Sequence, residues 1–392
     1  ASGASLYLGS YASGNNYMDM SAITPSSMQL NKLKWETTTE YNTGLDATFL
    51  KGKLRFTVDV YQKYVKDLLQ PKVKMPTTIG YGNGYQISYM NSGKMTNKGW
   101  EFRVDAVPFQ NKDWRVGVYF NIAHNENKIT EMPDNYIEEN YTFGNGNYAY
   151  RREEGRPMGS FYGYRYKGVY QNKDATYARD IEGNVMKDIS GNAIVMRNGS
   201  YTVAPGDAIY EDVNHDGVIN QYDIVYLGNS NPRLTGGAGL NVSYKQFKLS
   251  AIFYGRYGQD VVNATRLNNE SMRGIDNQST AVLRRWRNEG DQTDIPRALY
   301  GEGYNTLGSD RFVEDASYLR LKSLSFTYRL PKKAIQRWGF NNIDVYVTGY
   351  NLFTWTKYTG QDPEVKTENT YARDTATTPA SIQLVAGFNL SF

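Results

Sequence analysis

Cysteine is absent from this chain. That excludes a disulfide scaffold, a thiolate metal centre and a cysteine nucleophile. Long apolar runs are missing too. No stretch approaches the roughly 18–20 residues of a membrane-spanning helix, and mean hydropathy is −0.63. A helical membrane protein is therefore excluded, but a β-barrel is not, because barrel strands hide their apolar face by alternation. Charge of one sign is also lacking: a net charge of +4 over 392 residues leaves no nucleic-acid footprint. No G-x-S-x-G, P-loop, dinucleotide-binding or H-E-x-x-H pattern occurs. The adjacent acids Glu138-Glu139 and Glu153-Glu154 read as solvated faces rather than a glycosidase pair, so no enzyme is expected. Residues 1–17 are small, polar and Gly/Ser-rich and form no secretory leader, so the expectation is a processed product or a piece of a longer protein.

What the chain does have is aromatic side chains and period-two alternation. Aromatics make up 14% of the residues, with 34 Tyr. Such enrichment suits the girdles of outer-membrane barrels or sugar-stacking surfaces. From Trp35 the odd positions through Tyr41, Leu45 and Phe49 alternate with Glu36, Glu40 and Asp46. Successive side chains of a strand point to opposite faces, so one face is apolar and the other polar. The pattern resumes at Leu54–Tyr61, Trp100–Ala106, Trp114–Ile122, Ala238–Tyr244, Phe247–Phe253, Leu324–Leu330, Ile343–Val347 and Leu384–Phe392. Several runs exceed the ~5–6 residues of an ordinary strand and reach bilayer-crossing length.

The connections sort by length. Short links at 51–52, 108–113, 245–246 and 331–341 alternate with long ones at about 67–97, 130–235, 259–317 and 355–380. Outer-membrane barrels have short periplasmic turns and long extracellular loops. The expected fold is therefore all-β: the C-terminal part of an antiparallel transmembrane β-barrel, about nine to ten strands, with long extracellular loops. Residues 1–31 are expected in an extracellular loop, 32–129 and 236–392 in barrel strands, and 130–235 in an extracellular excursion. Phe161–Tyr170 looks like a strand, yet an even number of spanning strands must lie between the run ending near 128 and the one beginning near 236. It is accordingly placed in the excursion. Nine strands is an odd set, whereas bacterial barrels close with even numbers, which implies a partial barrel.

Within the excursion, residues 212–223 fit a twelve-residue EF-hand-type loop. Asp212, Asn214, Asp216, Asn220 and Asp223 supply side-chain oxygens, Val218 a carbonyl, and Gly217 the sharp bend. All-oxygen ligation points to structural Ca²⁺, with Mg²⁺ also accommodated because position 12 is the shorter Asp. His215 and His124 read as ordinary residues. The loop aromatics Tyr141, Phe143, Tyr148 and Tyr150 are candidate substrate contacts, since such rings stack on sugars; packing of the loop is the competing reading.

The chain resembles the C-terminal barrel portion of SusC/RagA-type TonB-dependent outer-membrane transporters of the Bacteroidetes. The resemblance rests on LKWETTTEYNTGLD (33–46), NKGWEFRVDAVP (97–108), GRPMGSFYGYRYKGVY (155–170), DVNHDGVINQYD (212–223), LGNSNPRLTGGAGL (227–240), DIPR (294–297), RFVEDASYLRLKSLSFTYRLPKK (311–333) and VYVTGYNLFTWTKYTGQDPE (345–364). It implies a barrel of twenty-two strands around an N-terminal plug. The implied partners are the TonB complex, the rest of the barrel and plug, outer-membrane lipid and a SusD-like surface lipoprotein. The implied cargo is oligosaccharide, or peptide in some members. The plug and TonB-binding segment are expected outside this chain. The alternative reading is a soluble, Ca²⁺-stabilised, glycan-binding extracellular β protein.

Overall fold

A computed structural model describes residues 10–17, 20–74, 86–132, 146–150, 152–368 and 371–392. Nine strands form one antiparallel sheet: β1 (Thr37–Phe49), β2 (Leu54–Lys66), β3 (Lys94–Gln110), β4 (Trp114–Glu131), β5 (Leu234–Tyr244), β6 (Phe247–Tyr257), β7 (Tyr318–Arg329), β8 (Asn342–Thr356) and β9 (Gln383–Ser391). Each pairs with its neighbour in chain order, with β1 and β9 at the two edges. All nine reach the ~9–11 residues that cross a bilayer at a tilt; the shortest, β9, has 9 residues and β4 runs for 18.

The register converts alternation into two faces. Leu45, Val58, Phe102 and Ile122 stand opposite one another across β1–β4. The next rows, Val118–Leu240–Ala251–Leu324 and Phe120–Ala238–Phe253–Leu321, carry the apolar face through β7. Val345, Val347 and Gly349 then continue it into Phe388, Ala386 and Leu384 of β9. This face is bare: Phe388 is 68% exposed and Phe326 49%. A soluble protein does not leave so broad an apolar surface in water.

Aromatics collect at both ends of the apolar band, as at the interfaces of a membrane barrel. Trp100, Tyr257 and Trp355 mark the end nearer the long links. At the other end, the Trp114–Tyr244 rings lie 4.3 Å apart and Phe247–Tyr328 4.9 Å apart. The opposite face is polar. Lys63 meets Glu40 at 3.2 Å, Arg103 meets Asp105 at 2.7 Å and Arg329 meets Asp344 at 2.8 Å. Ser325 and Thr348 hydroxyls are bonded at 2.8 Å across β7 and β8.

The short links are tight for local reasons. At 245–246 the pairing runs without a slip to Tyr244–Phe247, with Lys245 at φ +50°. Between β1 and β2, Leu50, Lys51 and Gly52 all take positive φ. The turn expected over Pro108–Asp113 is shorter. β3 continues to Gln110, with a bulge between Ala106 and Phe109 that accommodates Pro108. Proline has no N–H for a ladder, and a bulge is where a sheet tolerates it. The 67–97 link contains the hairpin Leu69–Lys74/Gln86–Asn91. Asn91 ties it down by accepting from the Lys34 N–H and donating to the Lys34 and Asp67 carbonyls. Near the start of the chain, Ser10–Tyr17 pairs with Met20–Ser27 apart from the nine-stranded sheet.

The faces make a testable distinction. Leu240→Arg, in the middle of the apolar face, should cost about 2–4 kcal/mol. Asn241→Arg on the polar face loses one hydrogen bond and should cost about 1 kcal/mol. Urea unfolding of the whole protein in lipid vesicles measures both.

Candidate functional site: a cap on the polar face and its metal loop

Three long connections, at 132–233, 258–317 and 357–382, fold onto one another. Ser160–Gly163 pairs with Val225–Asn229, and Tyr166–Val169 with Ala208–Tyr210. Phe161 to Tyr170 thus lies outside the nine-stranded sheet. Asp260–Asn263 pairs antiparallel with Val313–Asp315 and parallel with Tyr371–Asp374, which joins the second connection to the third. Their apolar residues share cores. Phe161 of the first packs with Val262, Leu267 and Phe312 of the second. Tyr304 and Leu307 of the second join Tyr164, Tyr210 and Ile219 of the first.

Buried charge holds these pieces in register. Asp207 is fully buried and accepts hydrogen bonds from Arg297 Nε at 2.7 Å, Tyr201 Oη at 2.7 Å, the Ala204 N–H at 2.8 Å and Asn305 Nδ2 at 3.2 Å. Gly206, beside it, has φ +87°, and a Cβ there would sit 2.2 Å from the Trp286 ring. A second network runs Arg311–Glu270–Arg266–Glu314, with contacts of 2.8–3.1 Å, and Glu314 also accepts from the Thr359 N–H.

A third network pins the cap to the polar face of the sheet. Arg320 of β7 is 2% exposed. It donates to Thr354 Oγ1 at 2.8 Å, to Glu364 Oε2 at 2.9 Å and to Asp362 Oδ1. Lys322 reaches the same Glu364 oxygen at 2.9 Å. Asp362 also accepts from the Glu364 and Ala380 N–H groups. The 357–382 connection is therefore held down on the inner wall, not splayed from it.

The six residues expected to hold a metal are gathered in one loop. Asp212 accepts from the Asp216 and Gly217 N–H groups at 3.2 and 2.8 Å. Asp216 accepts from the Val218 N–H at 2.7 Å. Buried Asp223 accepts from the Val213 and Asn220 N–H groups, each at 2.8 Å. The Asn214 and Asn220 amides both turn Nδ2 toward Asp216 Oδ2, at 2.9 and 3.5 Å, and Asn220 Nδ2 also meets the Val218 carbonyl at 3.1 Å. Two amide donors thus occupy the direction from which a cation would draw oxygens, and a half-turn of each amide presents Oδ1 instead. Burial, and then the charges of Asp212 and Asp216, push the Asp223 carboxyl above its ordinary range; a divalent cation would remove that charge repulsion. No cluster of three His, Cys, Asp or Glu side chains poised for a metal occurs among the described residues. The three carboxylates of the set, Asp212, Asp216 and Asp223, do not form such a cluster as they stand; the other three donors are amide and carbonyl oxygens. The residues fit a hard cation in a loop that must close around it.

The loop is also mounted rigidly. Ile219 is fully buried in the cap core, and Val218 bridges Arg197. Gly217 has φ +79° and lies against Ala178, whose Cβ would be 2.9 Å from an added one. His215 turns its ring to the Arg179 carbonyl and His124 to that of Arg233.

The candidate substrate aromatics divide. Tyr141 and Phe143 lie outside the described residues. Tyr148 is 7% exposed, donates to the Ser309 carbonyl at 2.7 Å and meets Phe161 edge-on. It packs the cap and offers no face to a ligand. Tyr150 is half-buried. The roles of Asp207 and Arg320 had no local signal in the sequence, since their charged partners lie 90 and 42–44 residues away.

The family model described as "TonB dependent receptor-like, beta-barrel" matches residues 2–352. The chain belongs to this family. It is 32% identical over 346 residues to TonB-dependent receptor P3 of Formosa agariphila, covering 86% of this chain and 32% of that protein. It is 29% identical over 391 residues to TonB-dependent receptor SusC of Bacteroides thetaiotaomicron, covering 97% and 34%. Among solved structures it is similar to the RagAB peptide transporter, with TM-score 0.70, 28% identity, and 99% of this chain against 39% of that one. The chain therefore spans about a third of the length of the curated relatives it matches. It is a barrel portion of SusC/RagA type, and such barrels cross the outer membrane on their strands. No helix among the described residues is long and apolar enough to cross.

Removing the Arg320 guanidinium would leave Asp362 without a cationic partner against a buried wall and Glu364 held chiefly by Lys322. Arg320→Ala should cost about 3–5 kcal/mol and open 357–382 to protease. Arg320→Lys should not restore protection, because an ammonium cannot serve three acceptors in the guanidinium plane. Limited proteolysis with mass mapping reads both.

Proposed function

We propose that this chain forms part of the wall, and the outer cap, of a TonB-dependent importer that takes up a nutrient oligomer, an oligosaccharide or a peptide. The observation that carries the reading is the pairing of a lipid-facing sheet with a cap anchored on its polar, inward face by Arg320. A barrel wall needs only turns between strands, whereas three interlocked connections on one side supply a surface for selection. In this reading the long connections face outward and the short turns face the periplasm.

A SusD-like lipoprotein would cover the cap from outside. The remaining strands and the plug would come from the part of the relatives' length that this chain does not span, and the TonB complex would act through that part. The similarity to SusC and to RagAB, a peptide transporter by its own description, supports an oligomeric cargo. The soluble glycan-binding alternative is set aside, since the apolar face spans all nine strands and has no covering layer among the described residues.

Asp212, Asn214, Asp216, Val218, Asn220 and Asp223 would hold Ca²⁺, with Mg²⁺ as a weaker fit. The ion would neutralise three carboxylates and brace the first connection against the cap core. Its role is structural.

Two experiments test this reading. Deleting the gene should abolish growth on one oligomer class while growth on its monomers persists; unchanged growth on every oligosaccharide and peptide offered would refute import. Separately, chelator should expose 207–228 to protease in the whole transporter, and Asp216→Ala should do so without chelator. Equal protection with and without Ca²⁺ would remove the metal.

A further inference from the structure

The apolar face of the sheet is not uniform. Across β4 to β8, one register row reads Ile122, Gly236, Gly255, Leu319, Trp355. Two glycines stand side by side in its middle. Neither has room for a side chain on this backbone: a Cβ would lie 2.6 Å from the Asn121 carbonyl oxygen at Gly236, and 2.7 Å from that of Tyr318 at Gly255. The row below continues with Phe120 and Ala238. The result is a groove of about 690 Å³ with a floor of backbone and Ala238, flanked by Phe120 and Ile122 on one side and Leu319 and Trp355 on the other. That volume lies within the ~300–1,000 Å³ of small-molecule sites.

Its depth decides the occupant. Trp355, 52% exposed, belongs to the aromatic end of the band nearer the long connections. The groove starts there and descends into the apolar band, so it is continuous with the surface that meets the bilayer. Asp315, Ser317 and Lys357 line its mouth. Asp315 accepts from the Ser317 N–H and hydroxyl, and the exposed Lys357 supplies a cation two residues on from Trp355, just past the end of β8. An apolar slot with a cation above it matches an acyl chain below a phosphate.

We propose that this groove is a binding site for an acyl chain of an outer-leaflet glycolipid of the lipid A class, with Lys357 meeting its phosphate. The proposal rests on the sidedness given under the proposed function. Such a lipid would fill the place where the wall lacks side chains, and would brace β5 and β6 beneath the cap.

Native mass spectrometry of the full-length transporter with purified lipid A tests this. The parent protein should retain one lipid A molecule per barrel. Ala238→Phe, which fills the groove with another apolar group, should lower retention at least tenfold. Lys357→Ala should lower it several-fold, and Ala386→Phe, on the same face of distant β9, should leave it unchanged. Equal retention by Ala238→Phe and the parent would overturn the proposal. So would retention of phosphatidylethanolamine in preference to lipid A, or a Leu319→Cys variant that crosslinks to a second copy. Labelling of a Ser190→Cys variant on intact cells tests sidedness separately, and growth on the oligomer tests import, so failure of either is distinguishable from failure of the groove.

Discussion

A bilayer offers no water to an unpaired peptide group, and that single constraint shapes the rest of this molecule. Every N–H and C=O that enters the hydrocarbon must find a partner in a neighbouring strand. The nine strands meet this by pairing strictly in chain order, antiparallel, with the short links at one end. Pairing in this way fixes which residues stand opposite, so the apolar rows become continuous and face lipid. The polar rows become equally continuous on the other side. Among the described residues the outer edges of β1 and β9 remain unpaired.

With the wall settled, the long connections are free of the lipid and can fold as a soluble structure folds. They do so around aromatic clusters and around buried charged side chains. Asp207 with Arg297, Glu270 with Arg311, and Arg320 with Asp362 and Glu364 are each satisfied by several bonds. Buried pairs of this kind add little net stability compared with an apolar core, but losing one partner is costly. They therefore specify one arrangement of three connections that are far apart in sequence. The 212–223 loop belongs to the same scheme. Its acidic residues are each held by backbone N–H groups of the same loop.

The wall was legible in the sequence because its cause is local. Period-two alternation at Leu45–Phe49, Trp100–Ala106 or Ala238–Phe253 reflects the pleat itself, and those runs are wall strands. The bulge at Pro108 was less legible: proline announces a break, and only the register shows that the strand continues past it. The cap was legible only in fragments. The spacing of carboxylates and amides from Asp212 to Asp223 marks a loop motif, because its ligands are near neighbours. Asp207, Arg297 and Arg320 carry no such mark, since long-range pairing leaves no trace in local pattern. Tyr148 shows the converse: an aromatic in a polar stretch suggested a ligand face, and the fold buried it between Ser309 and Phe161.

The claim on which all of this depends is that one face of the sheet meets lipid and the other meets water. Spin labels placed singly along β5, from Gly237 to Ser243, in the full-length transporter in outer membranes measure it directly. Accessibility to oxygen should peak at 238, 240 and 242, and accessibility to a water-soluble nickel chelate at 237, 239, 241 and 243. A flat profile, or nickel access at Leu240, would contradict a membrane-spanning wall.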